Sequence, residues 1–276
     1  MQPGTESGRV VLQPGKDSIL RLAQVTDCHI LANADDCLRG MNTRSSFEAV
    51  CQAIDSSRKE FDLLLATGDL SQDGSSTSYQ YLADRLNSMR QPVFWLPGNH
   101  DDPGLMQELL RGEMLSPAKQ IEIGNWLIIL LDSTIAGETG GRLAPAQIDF
   151  LETSLAAQRQ PHALVCLHHQ AQPAGSEWID RLGLQPAQQV ADIVKSRSSV
   201  RAVLWGHVHQ QLDRCIDGIH WMSTPSTCIQ FKPGSKTFAL DALAPGYREL
   251  ELHADGRVVS RVQRIEHFSF NPPSMV

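Results

Sequence analysis

Five short polar clusters hold six of the chain's ten histidines: Asp27-Cys28-His29, Gly68-Asp69, Gly98-Asn99-His100-Asp101, His168-His169 and Gly206-His207-Val208-His209. Asp, His and Asn are hard-to-borderline donors, the mixture that suits two divalent metals sharing a bridging carboxylate. Asp69 is the candidate bridge. Asp27 and His29 stand two apart, so in an extended segment both side chains point the same way and can grip one metal. His207 and His209 repeat that spacing. His168 and the Asn99 amide oxygen would complete a second ion. One ion then takes Asp27, His29, Asp69 and one of His207 and His209; the other takes Asp69, Asn99, His168 and the remaining histidine. Spacing alone does not divide His207 from His209.

Two such ions, roughly 3.5–4 Å apart, clamp a phosphate and lower the pKa of a bound water toward ~7. His100, next to Asn99, could contact that phosphate and protonate a departing alkoxide. Asp101 or Asp73 could orient its imidazole, and the sequence does not choose between them. Each cluster by itself is ordinary turn or surface chemistry. Five in series, each after an apolar run, point to a metal site. His162, His220, His253 and His267 lack that setting and read as structural or surface residues.

The runs end in Gln24-Val25-Thr26, Leu63-Leu64-Leu65-Ala66-Thr67, Val93-Phe94-Trp95-Leu96, Leu164-Val165-Cys166-Leu167 and Ala202-Val203-Leu204-Trp205. They read as buried strands of an α/β sheet, whose carboxyl ends are where ligands gather. Helical stripes alternate with them. Thr43 or Ser45 could cap a helix through Phe47, Val50, Cys51 and Ile54, and another runs from Ser76 to Met89. Pro145 and Pro186 sit where a first-turn proline is tolerated. Beyond His209 the pattern turns to strands, with Asp255-Gly256 as a hairpin signal between Tyr247–Leu252 and Val258–Val262. From about residue 211 the chain is expected to supply antiparallel strands to a second sheet packed on the first. Residues 1–16 are expected to be a flexible segment, 17–265 a single domain and 266–276 a frayed tail. The loops Leu31–Asn42 and Gln170–Gln185 would overhang the strand ends and wall the site.

The chain of 276 residues, 41% hydrophobic and 20% charged, can bury a full core. A net charge of −7 with no basic block argues against nucleic acid as partner. No apolar run is long enough to span a bilayer, and no secretory leader is evident, so a cytoplasmic protein is expected. The six cysteines are scattered without a Cys-x-x-Cys pair and read as reduced thiols.

In order and spacing the clusters resemble the calcineurin-like metallophosphoesterase family, whose pattern is Asp-x-His, Gly-Asp, Gly-Asn-His-Asp/Glu, His and Gly-His-x-His. The resemblance spans about residues 20 to 210. It implies a four-layer α/β sandwich of two mixed sheets flanked by helices, and a dinuclear centre, often of iron and manganese and sometimes of zinc. It also implies phosphoester hydrolysis by metal-activated hydroxide, and allows a homodimer. The family's ligands fall on Asp27, His29, Asp69, Asn99, His168, His207 and His209, with His209 beside Asp27 and His207 beside His168. Asn99, His100, His29 and His209 would surround the phosphate, with His100 as the catalytic residue. Thr224–Pro233 and Ala244–Arg248 are similar to the carboxyl-terminal region of bacterial class III 3′,5′-cyclic-AMP phosphodiesterases.

Two departures stand out: His168-His169-Gln170-Ala171 replaces His-His-Pro-Pro, and Gln72 occupies a position that is Asp in some relatives. The leading reading is hydrolysis of cyclic AMP to 5′-AMP. A broader phosphodiesterase acting on other cyclic nucleotides or small diesters is the alternative. A non-catalytic scaffold is a third reading, disfavoured by the complete ligand set.

Overall fold

The apolar runs lack polar alternation because both faces of each strand are covered. In Leu63–Thr67 every residue is buried: Leu63 and Leu65 join a core shared with the opposite sheet, while Leu64 and Ala66 pack toward helices. The computed structural model describes residues 8–15, 18–157, 159–266, 268 and 270. One sheet orders its strands Val258–Arg264, Gly246–His253, Ile19–Val25, Leu63–Thr67, Val93–Leu96 and Leu115–Ser116. The other runs Arg9–Leu12, Gln120–Ile123, Trp126–Leu130, His162–Cys166, Val200–Trp205, Ile219–Ser223 and Leu212–Ile216.

Helices Thr43–Asp55, Ser76–Asn87 and Pro103–Leu109 cover the first sheet, setting Phe47, Leu82 and Met106 against its Ala23, Leu64 and Trp95. Helices Pro145–Ala157 and Ala187–Lys195 cover the second, with Leu151 and Val194 against Ile129, Val165 and Val203. Leu22, Phe94 and Leu96 meet Ile128, Leu164 and Leu204 between the sheets. The order is helices, sheet, sheet, helices: the expected four-layer sandwich. No described helix is long and apolar enough to cross a membrane.

Four expectations need correction. The carboxyl-terminal strands do not all go to the second sheet: Leu212–Ile216 pairs antiparallel with Ile219–Ser223 there, but the last two join the first sheet. Gly246–His253 returns to pair antiparallel with Ile19–Val25 in the first sheet, while Ile219–Ser223 runs parallel to Val200–Trp205 in the other. The helix Thr43–Asp55 is capped by Asn42, whose side chain accepts from Ser45 N–H at 2.8 Å, and not by Thr43 or Ser45. Within the segment expected to be flexible, Arg9–Leu12 pairs parallel with Gln120–Ile123, burying Val10. Residues 1–7 and 16 lie outside the described residues. In the tail expected to fray, Phe270 is buried against a small cluster of Met41, Cys228 and Ile229. His267, Ser269 and residues 271–276 lie outside the described residues.

One buried cation ties the sheets together. Arg248 belongs to the first sheet and is wholly buried, yet it donates to Asp213 Oδ1 at 2.6 Å, to Ser223 O and to Leu212 O on the second. Its Nε donates to Thr224 Oγ1 at 3.1 Å, and Thr224 in turn donates to Gln24 Oε1. Gln24 Nε2 then bonds Thr67 Oγ1 at 2.7 Å and Trp205 O at 3.3 Å. This chain of polar groups runs beneath the strand ends that carry the clusters. Replacing Arg248 with Met strands several buried acceptors, so Arg248→Met is expected to lower stability by about 3 kcal/mol. Urea unfolding with an unchanged slope reads this directly; a midpoint equal to that of the unmodified chain would show the tie to be dispensable.

Candidate metal centre

The strands Ile19–Val25, Leu63–Thr67 and Val93–Leu96 run parallel, as do Trp126–Leu130, His162–Cys166 and Val200–Trp205. The clusters that follow them meet at one edge of the sandwich. There the backbone departs from the extended path expected for Asp27 and His29. Asp27, His29, Asp69, His207 and His209 have φ of 53°, 48°, 49°, 65° and 47°. They are five of the seven non-glycine residues with positive φ among the described residues. A left-handed residue with a Cβ costs roughly 1–2 kcal/mol, so the surrounding structure must hold it there. Asp27 N–H donates to Gly68 O and His29 N–H to Asp69 O, both at 2.9 Å, and Gly206 N–H donates to His168 O at 3.1 Å. The side chains converge through these turns and not through period-two alternation.

Two donor sets result. Asp27, His29 and His209 offer atoms within 4.8 Å of one another, as do Asp69, His168 and His207. His209 Nε2 lies 3.3 Å from Asp27 Oδ1 and 3.1 Å from His29 Nε2. Asp69 Oδ2 stands between the sets, 3.3 Å from His168 Nε2 and 3.7 Å from His29 Nε2. His209 thus lies with Asp27 and His29, and His207 with Asp69 and His168. His168 Nε2, His207 Nε2 and Asn99 Oδ1 are buried without a hydrogen-bond partner. Such orphaned donors, grouped about two carboxylates, fit metal ions. His168 Nδ1 bonds Thr67 O at 2.9 Å and His209 Nδ1 bonds Ile229 O at 2.8 Å, which turns each Nε2 inward.

Burial by itself would push both carboxyl groups up. At Asp27 the imidazoles of His209 and His168 outweigh it, and at Asp69 those of His168, His29 and His100 hold the group well below the usual carboxylate range. Burial likewise works against a charged His168, but the neighbouring Asp69 carboxylate raises it to about 9. Burial lowers His29 to about 3 and His207 well below its ordinary value. His29 and His207 are therefore neutral imidazoles with lone pairs to give, the form in which histidine binds metal.

His100 is exposed at the mouth, with its ring edge-on to His29 at 5.0 Å between centroids and its N–H donating to Asp69 Oδ1 at 2.8 Å. Neither candidate for orienting it does so. The Asp101 carboxylate accepts from the N–H groups of Leu70, Ser71 and Gly98 and from Tyr79 Oη. Asp73 accepts from Ala32 N–H, Ser75 N–H and Ser71 Oγ. Gln72 takes the place instead, its Nε2 3.2 Å from His100 Nδ1.

The sequence profile of the calcineurin-like phosphoesterases matches residues 20–211. The chain belongs to this family. Among metallophosphoesterases of known sequence, it is 44% identical over 254 residues to the 3′,5′-cyclic adenosine monophosphate phosphodiesterase CpdA of Escherichia coli strain K12, covering 92% of both chains. The protein of the same name from Pseudomonas aeruginosa is 39% identical, over 93% of this chain and 94% of its own. A dimetal phosphatase from Danio rerio has the same fold, with a TM-score of 0.62 at 16% identity, covering 90% of this chain and all (100%) of that one.

This metallophosphoesterase adds parts that the clusters do not announce. Asp101 belongs to a motif yet acts as a hub for three backbone amides, which buries a carboxyl group that burial and Asp69 together raise to about 6. Ser226 Oγ and Cys228 Sγ both donate to Asp27 O, bracing that left-handed turn from the carboxyl-terminal region. Gly98 is a spacer: a Cβ there would strike Asp69 N and Oδ1. Gly98→Ala is therefore expected to fold, because the clash is confined to the turn, but to retain well under the metal content of the unmodified protein. Circular dichroism and elemental analysis on the same sample check this. Full metal content in Gly98→Ala would mean that Asp69 has more room than its contacts indicate.

Proposed function

We propose that the chain hydrolyses 3′,5′-cyclic AMP to 5′-AMP at a dinuclear centre. Asp27, His29, Asp69 and His209 would hold one ion, and Asp69, Asn99, His168 and His207 the other. The observation that carries the reading is the placing of Asp69 between two donor sets, in a chain 44% identical across 92% of its length to a cyclic AMP phosphodiesterase. The mixed carboxylate, imidazole and amide donors suit iron and manganese, with zinc as the alternative. When bound, the two ions supply Lewis acidity to the phosphate and lower the pKa of a coordinated water toward ~7.

The chain's own residues do the rest. Asp69 brings the negative charge that offsets both cations. Thr67 O and Ile229 O fix the rings of His168 and His209 before anything binds, so little reorganisation is needed. His100, exposed beside Asn99 and held by Gln72, contacts the phosphate and passes a proton to the departing 3′ oxygen. Asn99, His29 and His209 complete the phosphate's surroundings. Breaking the 3′ ester leaves the phosphate on the 5′ carbon.

Chromatography of the products tests this. Cyclic AMP should be converted to 5′-AMP with no 3′-AMP. Turnover of linear diesters with cyclic AMP untouched would put the broader phosphodiesterase in its place. His100→Ala should lower turnover of cyclic AMP by about 10²–10⁴-fold with metal content unchanged. The loss should shrink on bis(p-nitrophenyl) phosphate, whose leaving group needs little protonation. An equal loss on both substrates would assign His100 to phosphate binding alone. Asp69→Asn keeps the shape of the bridge and removes its charge, so elemental analysis should find both ions depleted.

A further inference from the structure

Beside His209 lies an aromatic group that the chemistry above does not use. Phe231 lies flat on the His209 ring, the centroids 4.0 Å apart and the planes 6° from parallel. Trp178 and Phe238 meet Phe231 edge-on at 4.9 and 5.4 Å, and each other at 5.2 Å. All three rings are only partly buried, so the cluster faces solvent as well as the metal centre. Separate loops assemble it. Trp178 comes from the short helix Glu177–Asp180 in the loop after His168. Phe231 and Phe238 come from the Gln230–Phe231 strand and the connection to its partner Leu240–Asp241. Gly234 N–H donates to Ser176 Oγ at 3.0 Å and ties the two loops together.

A third loop adds a cation. Cys37–Leu38 and Met41–Asn42 form a small hairpin whose tip residues, Arg39 and Gly40, have φ of 49° and 88°. Two left-handed residues suit a tight hairpin, but arginine is an uncommon choice for the first of them. There it is exposed, and its guanidinium stands 5.4 Å from the Phe238 ring centroid.

We propose that Phe238, backed by Trp178 and Phe231 and capped by the Arg39 guanidinium, is the platform for the purine base of the nucleotide. The proposal rests on the cyclic-nucleotide reading and names the residues that recognise what is not phosphate. The cluster begins at a residue of the metal centre, so a nucleotide whose phosphate lies on that centre extends its base toward the rings. Aromatic faces and a guanidinium plane are the surfaces on which bases stack. Stacking reads the π-face and not the hydrogen-bonding edge, so adenine and guanine should both be accepted.

The test compares two competitors that share a sugar and a 5′ phosphate and differ by the base. Inhibition of bis(p-nitrophenyl) phosphate hydrolysis by 5′-AMP and by ribose 5-phosphate is measured in the metal-loaded protein and in Phe238→Ala, Phe238→Trp and Arg39→Ala. The unmodified protein should prefer 5′-AMP by about ten-fold or more. The preference should fall toward one in Phe238→Ala and Arg39→Ala and persist in Phe238→Trp, with folding checked by circular dichroism. Equal inhibition by the two competitors in the unmodified protein would overturn the platform. So would a preference that survives both alanine variants. A protein that prefers 5′-AMP through Phe238 but leaves cyclic AMP intact would uphold the platform and defeat the cyclic AMP reading.

Discussion

Two carboxylates, Asp27 and Asp69, are buried close enough to raise each other's energy, and the groups that act against this are imidazoles. Burying an isolated charge is prohibitively expensive, and two like charges together are worse. Histidines meet part of the demand: His168 is pulled to about 9 by Asp69, while burial lowers His29 to about 3 and His207 well below its ordinary value. What remains is two buried carboxylates beside the neutral lone pairs of His29 and His207, the electrostatic complement of bound cations. The stability of the site and its chemistry thus have one origin.

The rest of the fold keeps those carboxylates in place. Five of the converging side chains hang from left-handed backbone, a conformation that the chain adopts only if neighbours compel it. The compulsion comes from the carbonyls of Gly68, Asp69 and His168, which accept from Asp27, His29 and Gly206 N–H, from the Asp101 hub, and from Ser226 and Cys228 on Asp27 O. Below them the Arg248–Thr224–Gln24–Thr67 chain locks the two sheets in relation through Thr67 Oγ1, and the backbone carbonyl of the same Thr67 orients His168. Position at the site is inherited from the packing of the sheets.

Much of this was legible in the sequence because buried strands of a covered sheet must be apolar throughout, and a polar cluster at such a strand's end has few other reasons to exist. The residues that converge at the strand ends were readable from type and order. Their geometry was not: the two-residue spacing of Asp27 and His29 suggested extended alternation, whereas left-handed turns do the work. Periodicity carries no information on φ. The route of the carboxyl-terminal strands was also hidden, since a hairpin signal at Asp255-Gly256 fixes which strands pair and not which sheet receives them. Asp101 and Asp73 looked equally able to orient His100, because proximity in sequence cannot show that both carboxylates are already taken by backbone amides. Gln72 stood out only as a departure from relatives, and the aromatic set of Trp178, Phe231 and Phe238 gave no pattern because it is assembled from separate loops.

On the proposed function, Asp69 joins two cations at the meeting of the strand ends. Anomalous diffraction from crystals of the metal-loaded protein, collected at the absorption edge of the metal it carries, tests this most directly. Two peaks are expected, one flanked by Asp27, His29 and His209, the other by Asn99, His168 and His207, with the Asp69 carboxylate touching both. A single peak in catalytically active crystals, or two peaks that Asp69 does not bridge, would contradict it.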